Sequence, residues 1–338
     1  MKAVFLDQPG QFRIAEMDPP APPGTDEALV RVRRVGVCGT DLHAYEGKQP
    51  FFNYPRILGH ELSVEILETA QNPFGLAPGD RCSVEPYLHC GQCKSCRRGL
   101  TNCCLNLKVL GVSTDGGMRE RLTLPLHKLH RSNSLSLDQL ALVEMLSIGA
   151  HAVERAALTP DDDVLILGVG PIGLAVLEFV RLAGLETSVA DVNPARLDYC
   201  RKTLKIPNCI DARNEPLAAL RDAKHGELPT VVFDCTGNPK SMLGALDFMA
   251  HGGKLVFVGL FPGEIKFNDP AFHLRETTLL SSRNATARNF RRVIRLLESA
   301  VIGAERWITH RVSYGQVAAN YPRWLAQHEN FRKAVVEW

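Results

Sequence analysis

The chain has 338 residues, 45% hydrophobic and 22% charged, which is ordinary for a globular protein and long enough for two domains. Its formal net charge is +2 with no long run of one sign, so it shows no footprint for nucleic acid or an anionic membrane. The opening MKAVFLDQPG is interrupted by Asp7, Gln8 and Pro9, and the longest apolar stretch, 164–180, is broken by glycines, Pro171 and Glu178, so neither a signal peptide nor a membrane span is expected and the protein is read as cytoplasmic.

In chain order, prolines at 19, 20, 22 and 23 mark a loop. ALVRVRRVGV (28–37) then alternates apolar and charged residues, the pattern of a half-buried strand. Next come GVCGTDLHAYEG (36–47) and YPRILGHEL (54–62). Cys38, His60 and Glu61 are soft and intermediate zinc ligands separated by a loop. A lone cysteine or a lone His-Glu pair is usually structural, so these gain weight only in company with a cysteine knot and a dinucleotide turn on the same chain. GLAPGDRCSVEPY predicts a turn and then a strand. Residues 1–145 read mostly as short strands and turns.

CGQCKSCRRGLTNCC (90–104) packs five of the ten cysteines into fifteen residues. Disulfides are disfavoured in the expected compartment. Cys90, Cys93, Cys96 and Cys104 have the spacing of four thiolates that wrap a tetrahedral zinc ion with no open position, hence a structural site. Gly91 and Gly99 supply the sharp turns. Cys103 could stand in for Cys104, but the spacing favours Cys104. A redox-active C-x2-C pair fits three such thiols in series less well.

From about Leu137 the pattern turns helical. DDDVLILGVGPIGLAVLEFVRLAG then reads as apolar strand, glycine turn and long helix. Strands TSVADV, TVVFDC and KLVFVGL follow with helical segments between them, a βα alternation that predicts a parallel sheet. The turn Gly168-Val169-Gly170-Pro171-Ile172-Gly173 is G-x-G-x-x-G, and Asp191 ends the next strand eighteen residues later. Such glycines let backbone N–H groups approach a pyrophosphate at a helix N-terminus. Asp191 would accept from ribose hydroxyls and repel a 2′-phosphate, favouring NAD over NADP. Arg196 complicates this, since it could stack on adenine or meet a phosphate. The tail from about Asn289 holds another helix, FRRVIRLLESAV, and mixed structure.

Taken together, Cys38-Gly39-Thr40-Asp41, Gly59-His60-Glu61, the four-cysteine lobe, Glu144 and the dinucleotide turn with Asp191 resemble the zinc-dependent medium-chain alcohol and polyol dehydrogenases along essentially the whole chain. Glu144 matches the glutamate of sorbitol- and threonine-dehydrogenase-like members. QPFFNYPRILGHE, TNCC, the 251–286 segment and the closing ITHR resemble L-galactonate 5-dehydrogenases and related sugar-acid dehydrogenases. Val64 and Met145 depart from the family's usual glycine and proline; neither removes a ligand.

The resemblance implies a GroES-like, partly open β-barrel catalytic domain of residues 1–147 plus 286–338, and a Rossmann-type doubly wound coenzyme domain of 148–285. It implies two zinc ions per chain, NAD, and a homodimer or homotetramer paired through an edge strand, for which KLVFVGLFPGEIKF is the candidate. Cys38, His60 and Glu144 would hold the catalytic zinc, with Glu61 either joining them or standing just behind. Thr40 would take the alcohol's proton and His43 pass it to water, unless His43 is merely an exposed histidine; Asp41 would orient a ligand histidine. Val258, Gly259, Leu260, Ser282 and Arg283 would line the nicotinamide side.

The expected substrate is a secondary alcohol of a sugar acid or polyol, oxidised to a ketone in the cleft between the domains. Arg119, Arg283 and Arg288 are candidates for a substrate carboxylate. Phe51, Phe52 and Tyr54 either wall the pocket or pack the core. His151, Cys200, Cys209, Cys235, Trp307, Trp324 and Trp338 read as packing groups. Threonine or sorbitol dehydrogenase activity is the neighbouring alternative. A non-catalytic NADH sensor or a metal-free quinone reductase would lack parts that this chain keeps.

Overall fold

The structure is a computed structural model that describes residues 1–50, 52–326 and 331–338. The chain divides into two compact units, Met1–Ser147 with Ala285–Trp338, and Ile148–Asn284.

In the first unit the main sheet, among the described residues, has seven strands. Its path runs Leu129–Arg131, Arg81–Val84, Glu61–Thr69, Glu27–Val37, Lys333–Glu337 and Ile308–Ser313, and Arg121–Pro125 also pairs with Glu27–Val37. The long strand Glu27–Val37 changes phase midway. Val30 and Val32 face the core, then Val35 and Val37 do, because a bulge between Val32 and Arg34 inserts one residue. Such a bulge re-aims the side chains beyond it. Two consecutive arginines sit there, and each leaves the core for an acid: Arg33 pairs with Glu65 at 2.6 Å and Arg34 with Asp138 at 3.2 Å. A small sheet of Gln11–Glu16, Lys2–Gln8 and Arg56–Ile57 covers the same apolar core, where Val4, Leu6 and Ile57 pack with Val30, Leu62 and Trp324.

The second unit carries a six-stranded parallel sheet. Its order is Asn208–Asp211, Thr187–Asp191, Val164–Leu167, Val231–Asp234, Lys254–Phe257, Thr278–Ser281. Numbered along this unit that is 3-2-1-4-5-6, the doubly wound order. Val164–Leu167, Thr187–Asp191 and Val231–Asp234 are buried at every position, as strands covered on both faces must be. One expectation is corrected. Of the candidate edge KLVFVGLFPGEIKF only Lys254–Phe257 is a strand, and it lies between Val231–Asp234 and Thr278–Ser281; residues 258–267 form no strand, and the outermost strand on that side is Thr278–Ser281. The sequence hides this because TLLS is short and only half-buried.

Candidate metal and coenzyme sites

Cys38 and His60 flank the hub strand and its neighbour. Cys38 ends the approach from Glu27–Val37 and caps the helix Gly39–Tyr45; its N–H donates to Asp41 Oδ2 at 2.9 Å. His60 precedes the strand Glu61–Thr69, on a loop stapled by Gly116 N to Ile57 O, Met118 N to Leu58 O and Gly117 N to Gly59 O, each between 2.7 and 2.9 Å. Gly116 is required there, because a Cβ would stand 2.3 Å from Gly59 O. One ligand atom each from Cys38, His60 and Glu61 lies within 4.8 Å of the others.

Asp41 is fully buried, and its Oδ1 sits 3.6 Å from His60 Nδ1. At that separation the two interact as charges and not through a hydrogen bond, and neither atom has a hydrogen-bond partner. Burial opposes a charge on His60, but Asp41, Cys38 and Glu144 outweigh it and hold its pKa well above the ordinary value. Burial raises the Asp41 carboxyl. These buried, charge-seeking donors fit a divalent cation.

Glu61 meets a residue that sequence reasoning missed. Its carboxylate pairs with Lys333, and both side chains are 1% exposed. Glu61 and Lys333 belong to strands on opposite sides of Glu27–Val37. Gly36 lies between them, paired with Glu61 on one side and Val335 on the other. A Cβ on Gly36 would stand 2.1 Å from Glu61 Oε2, so its absence is what lets the carboxylate cross the middle strand. Glu144 projects from the helix Leu137–Ala156 and stands outside the tight group; the Tyr87 hydroxyl donates to it. Burial pushes the Glu144 carboxyl up to about 7.

In the lobe, the four sulfurs of Cys90, Cys93, Cys96 and Cys104 all lie within 4.8 Å of one another. A tetrahedral zinc–thiolate site puts its sulfurs about 3.8 Å apart, so the set fits that ion. Backbone N–H groups of Cys96 and Leu105 hold Cys93 down to about 6, whereas desolvation pushes Cys96 up to about 12. Cys103 is exposed and outside the group. Gly91 and Gly99 turn the lobe at φ +73° and +77°.

In the second unit Gly168 closes the strand Val164–Leu167 at φ +82°, Gly170 caps the helix Pro171–Leu182, and Pro171 opens it. A Cβ on Gly173 would stand 1.9 Å from Gly168 O, so only glycine lets the helix start against the strand; Ile172 lies between Pro171 and Gly173 in the first turn. Asp191 accepts from Val169 N and from Asn193 N, both at 2.8 Å. Arg196 Nη1 stands 3.7 Å from Asp191 Oδ2 and faces Gly170. Gly259, between Val258 and Leu260, packs on Gly237, where a Cβ would meet Gly237 N at 2.3 Å. The Ser282 hydroxyl is buried without a partner, and Arg283 follows it.

This geometry has counterparts among known proteins. Residues 24–134 match the alcohol dehydrogenase GroES-like domain and residues 171–299 the zinc-binding dehydrogenase family. The L-galactonate-5-dehydrogenase of Escherichia coli (strain K12) is 40% identical over 336 residues, covering 99% of this chain and 98% of that protein. The chain belongs to the zinc-type alcohol dehydrogenase family. It is an oxidoreductase that acts on CH–OH groups, built from a GroES-like domain and a Rossmann domain. Among solved structures, a short chain alcohol dehydrogenase (rspB) from Escherichia coli CFT073, complexed with NADH, superposes with TM-score 0.92 at 28% identity, covering 100% of this chain and 99% of that one. A zinc-binding dehydrogenase from Sinorhizobium meliloti 1021, bound to NADP, gives 0.87 at 26%, with the same shares covered.

The remaining expected site residues of the dehydrogenase sort by environment. Thr40 is half-buried in the first turn of Gly39–Tyr45, and His43 lies in the last turn with its side chain exposed, its imidazole held below its ordinary pKa by desolvation. Arg119 reaches the Asp115 carbonyl at 3.5 Å while its Nε is buried without a partner. Arg288 lies in the helix Ala287–Glu298. Phe52 and Tyr54 stack edge to face at 4.8 Å against the first unit's core, with the Tyr54 hydroxyl donating to Ala44 O, so they pack the core; Phe51 lies outside the described residues. Trp307 and Trp324 are buried and Trp338 stacks on Tyr314. His151 and Cys200 are buried; Cys209 and Cys235 are half-buried. Tyr87 and Lys333 left one faint sequence signal each: a hydroxyl three residues before Cys90, and a lysine opening the strand Lys333–Glu337 ahead of its apolar run Ala334-Val335-Val336.

Proposed function

We propose that the chain oxidises a secondary alcohol of a sugar acid or related polyol to a ketone, passing hydride to NAD and releasing a proton. The observation that carries this is the convergence of Cys38, His60 and Glu61 on one point, in a chain 40% identical to an L-galactonate-5-dehydrogenase. Cys38, His60 and Glu144 hold a catalytic zinc, and Cys90, Cys93, Cys96 and Cys104 hold a structural one. The bound groups supply the chemistry: zinc the Lewis acidity that acidifies an alcohol, the nicotinamide ring the place for its hydride.

The chain's own residues do the rest. Asp41 orients the His60 ring through the charge it places beside Nδ1. Lys333 neutralises Glu61, which favours Glu61 standing behind the ligands rather than among them. Thr40 takes the alcohol's proton, and His43, whose pKa is lowered by desolvation, hands it to water. The unit 148–284 binds the coenzyme: the 168–173 turn cradles the pyrophosphate, Asp191 takes the ribose hydroxyls, and Val258, Gly259, Leu260, Ser282 and Arg283 line the nicotinamide side. Asp191 selects NAD over NADP. The enzyme works as a cytoplasmic homodimer or homotetramer.

An NADH-absorbance screen across aldonates, polyols, L-threonine and simple alcohols tests the substrate class. Turnover should be highest on an aldonate or polyol. A clear preference for ethanol or L-threonine would overturn the substrate reading and leave the family untouched.

A further inference from the structure

The first unit contains a buried charged cluster that the proposed chemistry does not use. Lys128 is 1% exposed, as is Glu85, and the two form an ion pair. Lys128 Nζ also lies 2.8 Å from His89 Nδ1, and Glu85 Oε2 lies 3.2 Å from His130 Nε2. Backbone joins side chain here, since Glu85 N donates to Lys128 O at 2.8 Å.

Stability alone is a poor reason for such a group. A buried ion pair is commonly replaced by apolar residues without loss, because desolvation offsets the attraction. What distinguishes this one is the segment it grips. Glu85 and His89 both meet Lys128. Tyr87, between them, donates to Glu144. His89 is followed by Cys90, the first cysteine of the lobe. A second route runs through rings: His130 stacks on Phe290 at 5.0 Å, and Phe290 meets Tyr87 edge to face at 6.2 Å. Both Phe290 and Tyr87 are buried. Burial lowers the Lys128 pKa, and Glu85 first, then Cys96 and Cys104, act against that shift.

We infer that Lys128 is a positioning residue that fixes the segment 85–90 at both ends and so couples the cysteine lobe to the Tyr87–Glu144 contact of the catalytic group. The inference rests on the assignment of Glu144 to that group. An intact lobe then holds Glu144 in place, and a loosened lobe releases it.

The test uses the full chain loaded with zinc, and a second preparation with cobalt in the catalytic group. Lys128→Met strands the Glu85 charge and can fail to fold, so the working variant is Lys128→Met/Glu85→Gln, which removes both charges at near-constant volume. Zinc transfer to 4-(2-pyridylazo)resorcinol gives a slow phase from the lobe. That phase should quicken about 10- to 100-fold, the usual effect of losing an outer partner of a metal site. The cobalt visible spectrum should shift in the same variant. Tyr87→Phe should shift the spectrum and leave the slow phase at the parent rate. The inference is overturned if the double variant leaves either the slow phase or the cobalt spectrum as in the parent. Neither readout needs turnover, so an unmodified chain that oxidises no sugar acid or polyol would defeat the substrate reading alone.

Discussion

Lys333→Met should be among the most damaging single changes in the first unit. It removes the cation and keeps most of the volume, leaving the Glu61 carboxylate with no exposure to water. Breaking a buried ion pair by removing one partner costs about 3–5 kcal/mol. The first unit has roughly 200 residues, and at that size each kcal/mol moves Tm by about 2–4 °C, so the expected fall is about 6–20 °C. All three tryptophans, Trp307, Trp324 and Trp338, belong to this unit, so tryptophan fluorescence follows its melting specifically.

Two controls sharpen the result. Lys333→Met/Glu61→Gln removes the stranded charge and should recover most of the lost Tm. Burial disfavours the Lys333 ammonium, but Glu61 and Cys38 outweigh it, so its pKa is raised. A raised lysine contributes fully below its ordinary value of 10.5 and loses that contribution only as pH climbs through the raised value. The penalty of Lys333→Met should therefore stay flat across neutral pH. A single variant as stable as the parent, or a double variant as unstable as the single, would refute the reasoning.

Gly36→Ala should drive a Cβ into Glu61 and cost the chain its catalytic zinc while the lobe keeps its own, read as loss of one of two zinc ions by metal analysis. Desolvation lowers the pKa of the exposed His43, so the imidazole is neutral above its ordinary 6.5 and gains its proton only as pH falls through the lowered value. His43→Asn should accordingly cut kcat by ~10²-fold and flatten the acid limb of the pH–rate profile, and an unchanged limb would remove His43 from the relay. The unmodified enzyme should favour NAD over NADP in kcat/KM by at least about tenfold, or ~1.4 kcal/mol, and Asp191→Ala should narrow that gap; equal use by the parent would show that Arg196 dominates.

The parts legible in the sequence are those with fixed spacing along the chain. The lobe is local, and its glycines at 91 and 99 announce the turns that bring the sulfurs together. The dinucleotide turn is local too: Gly173 cannot be another residue, because a Cβ there would stand 1.9 Å from Gly168 O. What stays hidden depends on register between distant strands. Nothing in KAVVEW says that its lysine points inward, because that follows from Ala334 pairing with Val37 and Val335 with Gly36. Nothing in VRRVGV says that Gly36 faces Glu61, because a bulge at the arginine pair shifts the phase first. The edge strand on that side is masked for a similar reason: Lys254–Phe257 is more apolar than Thr278–Ser281, and it is more apolar because it is interior.

These hidden contacts share one logic. Glu61 is placed by the strand that begins at residue 61, yet its compensating charge arrives about 270 residues later, on the last strand of the chain. Until Lys333–Glu337 pairs with Glu27–Val37, the Glu61 carboxylate has no partner and its burial is unfavourable, as it is for any isolated charge. The acid beside Cys38 and His60 is therefore compensated only by the C-terminal strand, and the discontinuity of the first unit has a chemical consequence. A chain whose tail is undocked holds Cys38 and His60 on their loops but lacks the pair that makes a buried Glu61 tolerable. Gly36 is the gate for that closure, since any side chain there separates the two charges. Bulge, glycine and terminal lysine thus act as one device: the bulge aims the glycine, the glycine opens the path, and the lysine makes the acid beside Cys38 and His60 stable enough to stay.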